Sequence, residues 1–453
     1  MNANQQQQVE RSSEKAVQEK SFGKWLVLGI SAAAFTGMTD KDHTVFAAST
    51  NWSSASVYNS DLQSQLGDIS PQEVTAAANA VNALANPQTP GDIALQTAFN
   101  AALTAGGPAA AEAIQQINVQ VDTMGASTTV NAGTSRQAVG TTSARLASLR
   151  TGDQYAGGLY ADSYSGNVYS GFASGDLYYG ASKAFWVRPF GGWTDQDERG
   201  GIEGYNADTY GIAIGADMPI SDRFRIGASF AYSNTDVKGE GAGASNSDID
   251  GYHLTVYGDY TTDGYYLQSM VSYARSNNDT SEQVLTAVRT ASYDSDQYAA
   301  SIGGGKPIQF QNGLFITPKV DLTWTRVNTN SYTTSGAGSL NLNINPDDAD
   351  VVVSSLGAQF HTIVDKSNGR LVPSAYAGIT YDLVNDDAQS VNSFTGGGSS
   401  FVAQGHNAPE LGGAVGLGLS YNRGMFSIGA KYNLNFKSDY QSHAAMVEGN
   451  WKF

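Results

Sequence analysis

From residue 184 to the end of the chain, apolar and polar positions alternate with a period of two, the signature of strands with one face in each of two environments. Phe224, Ile226, Ala228, Phe230 and Tyr232 share one side of a segment. Leu314, Ile316, Pro318, Val320, Leu322 and Trp324 do so in a second, and Phe426, Ile428, Ala430, Tyr432, Leu434 and Phe436 in a third. Opposite these rows stand Gly, Ser and Thr together with Arg223, Arg225, Lys319, Asp321 and Lys431. About twelve strands are predicted, near 184–192, 207–217, 223–234, 248–260, 264–276, 288–305, 313–327, 351–363, 369–384, 409–421, 424–436 and 442–453. Short connections (219–222, 261–263, 306–312, 365–368, 422–423) exchange with long polar ones (193–206, 235–247, 277–287, 328–350, 385–408).

Lipid satisfies no backbone group, so a sheet that crosses a bilayer must close on itself, with short turns at one rim and long loops at the other. The pattern therefore predicts an antiparallel transmembrane β-barrel. A soluble sandwich matches the strand count and a propeller the spacing. Neither accounts for the strict short–long alternation or for polar rows containing Arg and Lys. An even strand count puts both barrel ends at the short-turn, periplasmic rim.

Upstream the period changes. Residues 70–125 read as three weakly amphipathic helices, separated by Pro87, Pro90 and the run Gly106-Gly107-Pro108. Ser70-Pro71-Gln72-Glu73 combines an N-cap, a first-turn Pro and a capping-box Glu. Val74, Ala78, Val81 and Leu84 form the first stripe, Ile93, Phe99 and Leu103 a looser one, and Ile114, Ile117 and Val121 a third. These faces predict a small, loosely packed helical region. A further helix is predicted over 143–150, with Arg145, Leu146, Leu149 and Arg150. Residues 151–182 are Gly-, Ser- and Tyr-rich and read as a linker. At the start, Lys20 and Lys24 precede the apolar run from Trp25 to Met38, which reads as a secretory signal too short to span a membrane as a helix. The predicted organisation is a targeting region at 1–48, a short helical passenger and linker at 49–150, a linker at 151–182 and a barrel at 183–453.

Composition agrees with a barrel. The 453 residues include 51 Gly, 24 Tyr, 17 Phe and 6 Trp with only 15% charged residues, and the mean hydropathy is −0.29. Alternating membrane strands average out in this way, whereas a helical membrane protein would show long apolar runs. The absence of Cys excludes disulfides and thiolate chemistry, and a net charge of −17 argues against nucleic acid as a partner.

The chain also resembles the autotransporter (type V secretion) family, whose C-terminal domain is a twelve-stranded barrel. The resemblance is carried by Phe185-Trp186-Val187-Arg188-Pro189-Phe190-Gly191-Gly192, by 209–217, by 225–234, by Asp250-Gly251-Tyr252 and by the terminal Trp451-Lys452-Phe453. Ala144-Arg145-Leu146-Ala147-Ser148-Leu149-Arg150 resembles the helix that such proteins thread through the pore. The resemblance implies an outer-membrane translocator in a Gram-negative envelope that carries its N-terminal region to the cell surface. It further implies periplasmic chaperones and the barrel assembly machinery as partners. The latter would read the final strand through Ala445, Val447, Gly449, Trp451 and Phe453, which alternate with Met446, Glu448, Asn450 and Lys452. The long repeat-bearing passenger of many relatives is expected to be missing here. Two alternatives are a narrow porin-like channel plugged by the helices, and an adhesin using the long outer loops to meet a surface ligand.

Enzyme chemistry finds no motif. The five His (43, 253, 361, 406 and 443) stand in no ligand spacing, and there is no Gly-x-Ser-x-Gly elbow or phosphate-binding loop. Asp347-Asp348-Ala349-Asp350 offers oxygen ligands for Ca²⁺ but reads as a solvated acidic loop tip. Asn277-Asn278 falls in an expected loop. No catalytic residue, metal or cofactor is expected.

Overall fold

The computed structural model describes residues 71–150 and 183–453, apart from 85–86, 88, 106, 119–120, 201, 242, 244, 263, 312 and 407–408. The expected targeting region, residues 49–70 with the capping Ser70, and the linker 151–182 lie outside the described residues.

Twelve long strands form the barrel. They are β1 (Ala184–Gln196), β2 (Tyr205–Ser221), β3 (Phe224–Gly239), β4 (Asn246–Thr261), β5 (Tyr266–Val284), β6 (Ala287–Gly305), β7 (Leu314–Thr329), β8 (Ala349–Thr362), β9 (Gly369–Asn385), β10 (Leu411–Arg423), β11 (Phe426–Lys437) and β12 (Tyr440–Lys452). Each is antiparallel to its neighbours in sequence, and β12 returns to β1 with Ala184 opposite Lys452 and Gln196 opposite Tyr440. Closure leaves no free edge, which is what the hydrocarbon requires.

The alternation sorts the side chains as the sequence predicts. Ile212, Ile214, Leu254, Val256, Val271, Leu417 and Leu419 are exposed on the outside, where the solvent is lipid. Arg188, Arg225, Thr255, Asp259, Gln268 and Ser272 are buried on the inside. Lys319 and Asp321 form an ion pair at 2.8 Å on the inner row of β7. Arg223 departs from the expected inward row: it lies in the turn between β2 and β3.

Several strands outrun their predicted ends. β5 and β6 continue to Val284 and from Ala287, so the expected loop 277–287 is a hairpin and Asn277-Asn278 are strand residues. From Asn277 to Gln283 every residue is polar, so both faces of this stretch are polar, which erases the alternation that marks a membrane strand. The loops between β7 and β8 and between β9 and β10 are also structured. Tyr332–Thr333, Leu342–Pro346, Gln389–Phe394 and Phe401–Gln404 make a separate four-stranded sheet.

The helices are α1 (Pro71–Ala83), α2 (Pro90–Ala105), α3 (Gly107–Ile117) and α4 (Val121–Ser148). The third predicted stripe is therefore split, because the chain leaves the helix after Ile117 and Val121 opens the next one. The helix expected at 143–150 is in part the tail of a helix of 28 residues that ends at Ser148, with Leu149 and Arg150 in the turn that follows.

Candidate functional site

α4 has no apolar stripe for most of its length. Its sequence is rich in Ser, Thr, Asn, Gly and Ala, which suits a helix facing a mostly polar wall, broken where Ala126 and Val130 pack on Tyr205, Val237 and Ile249. At about 1.5 Å per residue it is roughly 42 Å long, enough to cross a bilayer. It contacts the inner faces of β2 through β7, and α4 or the turn that follows it bonds to side chains of β1, β11 and β12. Towards the long-loop rim, Ser127 donates to Ser247 at 3.1 Å and Asn131 Nδ2 to Asn278 Oδ1 at 3.0 Å. Lower down, Thr142 and Ser229 hydroxyls lie 3.3 Å apart and Gln268 Nε2 donates to Ser143 at 2.9 Å.

The charges gather at the short-turn end of the bore. Arg145 is fully buried, and its Nε lies 2.9 Å from Asp217 on β2 while its Nη1 lies 3.3 Å from Glu448 on β12. Arg225 pairs with the other oxygen of Asp217, and Arg188 pairs with Glu448 and donates to the Thr141 carbonyl. Arg150, in the turn after α4, pairs with Asp259, donates to Gln268 at 2.8 Å and covers the Tyr266 ring at 3.7 Å. Lys431 donates to the Ala144 carbonyl at 3.2 Å. Buried charge is tolerable only when paired and hydrogen-bonded, and here almost every arginine has both kinds of partner. Leu146 and Leu149 are buried beside Trp186, Phe190, Tyr257 and Met270. A Cβ on Gly215 would stand 2.4 Å from the Trp186 indole, so the glycine leaves the space that this ring occupies.

The four residues expected on the pore-threading helix, Arg145, Leu146, Leu149 and Arg150, thus lie together inside the barrel. In the last strand, Val447, Trp451 and Phe453 are exposed on the outside, while Met446, Glu448 and Asn450 are buried inside. Ala445 and Gly449 are partly covered. Sequence reasoning did not single out Asp217 or Glu448 as anchors for the helix, although for Asp217 an acid on an otherwise Gly and Ala inward row (Gly211, Ala213, Gly215) is a readable signal. It also missed Arg289.

At the long-loop rim, α1–α3 share one apolar core with the outer connections. Leu84, Leu95, Phe99, Ile114 and Ile117 meet Val284, Leu340, Leu342, Ile344, Phe394 and Phe401. Each helix also accepts a backbone N–H from a different loop: Asn79 from Ser399 at 2.8 Å, Asp92 from Ser339 at 2.7 Å and Gln116 from Leu285 at 3.0 Å. Asp92 doubles as a capping residue, exchanging bonds with Thr89 at the start of α2. Arg289, on β6 and fully buried, binds Glu282 and donates to the carbonyls of Ile117, Asn118 and Leu340. A cation there satisfies the last carbonyls of α3 and complements its dipole. Gly338 has φ +55 and a Cβ on it would stand 2.4 Å from Asp92. The expected loosely packed helical region is therefore a cap with a core of its own, built jointly with the loops.

The acidic run 347–350 is tied to an arginine: Arg326 lies 2.6 Å from Asp348 and 3.0 Å from Asp350. Among the described residues, no group of three or more His, Asp or Glu is placed to hold a metal ion, and no helix is long and apolar enough to cross a membrane.

The family model for the autotransporter beta-domain matches residues 185–433. Outer membrane protein B of Rickettsia prowazekii (strain Madrid E) is 24% identical over 286 residues, covering 59% of this chain and 17% of that protein. Outer membrane protein B of Rickettsia typhi (strain ATCC VR-144 / Wilmington) is 22% identical over 282 residues, with the same coverage of 59% and 17%. This chain thus spans about a sixth of the length of these curated relatives. The translocator domain of the autotransporter NalP from Neisseria meningitidis has the same fold, with a TM-score of 0.51 at 16% identity over 60% of this chain and 89% of that one. More than half of the residues fall under the family model, and they build a closed outer-membrane barrel around a helix. The chain belongs to the autotransporter beta-domain family.

Proposed function

We propose that the barrel carries the helical region 49–150 outward and that α1–α3 remain seated on the outer loops once there. The observation behind this reading is the direction of α4. Its lower end bonds beside the short-turn rim through Arg150 and Asp259, while α3, just upstream, is pinned by Arg289 among the long outer connections. A chain so arranged enters the bore at the periplasmic side and leaves it at the surface.

In this reading the domains are those drawn from the sequence: targeting residues 1–48, a short passenger and pore helix in 49–150, a linker at 151–182 and the barrel at 183–453. The outward row Ala445, Val447, Gly449, Trp451 and Phe453 is what the barrel assembly machinery engages, after periplasmic chaperones deliver the unfolded chain. Arg145, Leu146, Leu149 and Arg150 seat the pore helix. The chain transports and displays, and carries out no covalent chemistry. The outer loops hold the cap, which favours display over a free adhesive loop.

The test is protease shaving of intact cells that carry an epitope tag near Asn51. Loss of the tag from intact cells supports export of the N-terminal region. A tag protected until the outer membrane is permeabilised would place that region in the periplasm and overturn the reading.

A further inference from the structure

The seam between β1 and β12 joins the two ends of the barrel, and its ladder is broken in the middle. Pairing runs from Ala184 opposite Lys452 to Val187 opposite Gly449, resumes at Phe190 opposite Met446, and is missing at Arg188 and Pro189. On the other side of β1 the ladder with β2 continues unbroken through Arg188 opposite Ala213 and Pro189 opposite Ile212. Proline has no N–H. The missing bond is therefore the one residue 189 would donate towards β12, and the facing stretch at Val447 lacks that donor. The other barrel-strand prolines interrupt no ladder in this way. Pro219 stands at a register shift near the end of β2, and Pro318 and Pro373 lie just past the ends of the ladders their N–H groups would have entered. An unmade backbone bond within the hydrocarbon is costly, because lipid offers no substitute.

Side chains bridge the gap at that level. Arg188 of β1 pairs with Glu448 of β12 across the seam. Both of them also bind α4. Glu448 accepts from Arg145 at 3.3 Å and from Ser148 at 3.2 Å, and Arg188 donates to the Thr141 carbonyl. Arg145 then continues to Asp217 on β2 at 2.9 Å. About two turns of the helix, Thr141 to Ser148, thus tie together three adjacent strands, β12, β1 and β2, at the point where the backbone ladder has a gap.

We infer that α4 is a staple for the β1–β12 seam, so that the closed barrel is held more firmly at this seam when the helix is in the bore. Pro189 creates the dependence by withholding a ladder bond. Arg145, Arg188 and Glu448 make the substitute, which is complete only with the helix present.

Hydrogen exchange of the full chain in outer-membrane vesicles, read by mass spectrometry, tests this. Arg145→Gln removes the helix's own bonds to β12 and β2 while leaving the Arg188–Glu448 pair in place, and should speed exchange in segments 184–191 and 445–451 about tenfold or more, the scale of one lost charge-assisted hydrogen bond, while β4 and β5 stay protected. Arg150→Gln removes a charge from the same end of the helix but from bonds to β4 and β5, and should leave the seam unchanged. Equal acceleration of the seam in both variants, or in neither, would overturn the staple. Pro189→Ala restores the donor and should slow seam exchange by itself. This variant decides the question where Arg145→Gln fails to fold: no slowing would mean that the proline gap is not what weakens the seam.

Discussion

Arg289 shows how much can hang on one residue in the cap. Its guanidinium is shared among Glu282 and the carbonyls of Ile117, Asn118 and Leu340, so it joins α3, the β5–β6 hairpin and the β7–β8 loop. Removing one partner of a buried ion pair typically costs about 3–5 kcal/mol. Arg289→Ala should therefore release the cap while the barrel stays folded. The readout is faster proteolysis within α1–α3 at unchanged heat-modifiable migration of the barrel on a gel. Gly338→Ala acts on the same joint through the backbone. A left-handed φ and the nearby Asp92 oxygen should make it cost about 1–3 kcal/mol, measurable as a lower midpoint for cap unfolding. His406 offers a pH readout outside the membrane. Burial holds its imidazole below the ordinary value of about 6.5, with Nε2 near the Ile202 carbonyl at 3.2 Å. The folded state thus binds fewer protons than the unfolded one, and the linked stability is intact above about pH 6.5 and declines as pH falls below it. Exchange in the 199–206 loop should rise on acidification, and His406→Gln should flatten that rise. Arg289 was illegible in the sequence. It sits among the Ala, Ser and Thr of a strand, and the Ile117 and Asn118 carbonyls that it binds at the end of α3 lie more than a hundred residues away.

At the scale of elements, legibility followed the number of environments each element meets. β3, β7 and β11 each touch lipid on one face and the bore on the other, so their residues alternate and their positions were readable. α4 meets a largely polar bore, and its scattered apolar contacts, such as Ala126 and Val130 on Tyr205, Val237 and Ile249, make no stripe. Its C-terminal end, where Leu146 and the following Leu149 pack on Trp186 and Tyr257, carries the clearest apolar signature, and that end was the part predicted. The outer loop sheet was missed for a similar reason. Its inward residues Leu342, Ile344, Phe394 and Phe401 alternate over stretches of only four to six residues, too short to separate from loop. Because α4 fills the bore, deleting residues 1–150 should turn a poorly conducting barrel into a conducting one in planar bilayers. Unchanged conductance would mean that another segment fills the bore.

Across the whole molecule, one chain passes through its own barrel and packs against the loops on the far side. The contact between cap and loops could not be anticipated from either part alone, since α1–α3 have weak apolar faces and the loops are polar on average. Only together do they bury Phe99, Ile114 and Phe394. What the sequence did carry was the frame: twelve alternating strands, the sides of their turns, and the arginines of the last helical turns.

The contacts of α4 also act as a length gauge. Ser127, Asn131, Thr142 and Arg145 each have a fixed partner on the wall, at successive heights. One residue of helix advances about 1.5 Å and turns about 100°, so sliding by a single residue unmatches every level at once. A chain carried outward as proposed above therefore halts at one register, whatever the length of the segment ahead of it. Lengthening the chain before α1 should move nothing in the bore. Inserting a single Ala after Gly140 should prevent Asn131 and Arg145 from being matched together, and the insertion should show as lost protease protection of α4.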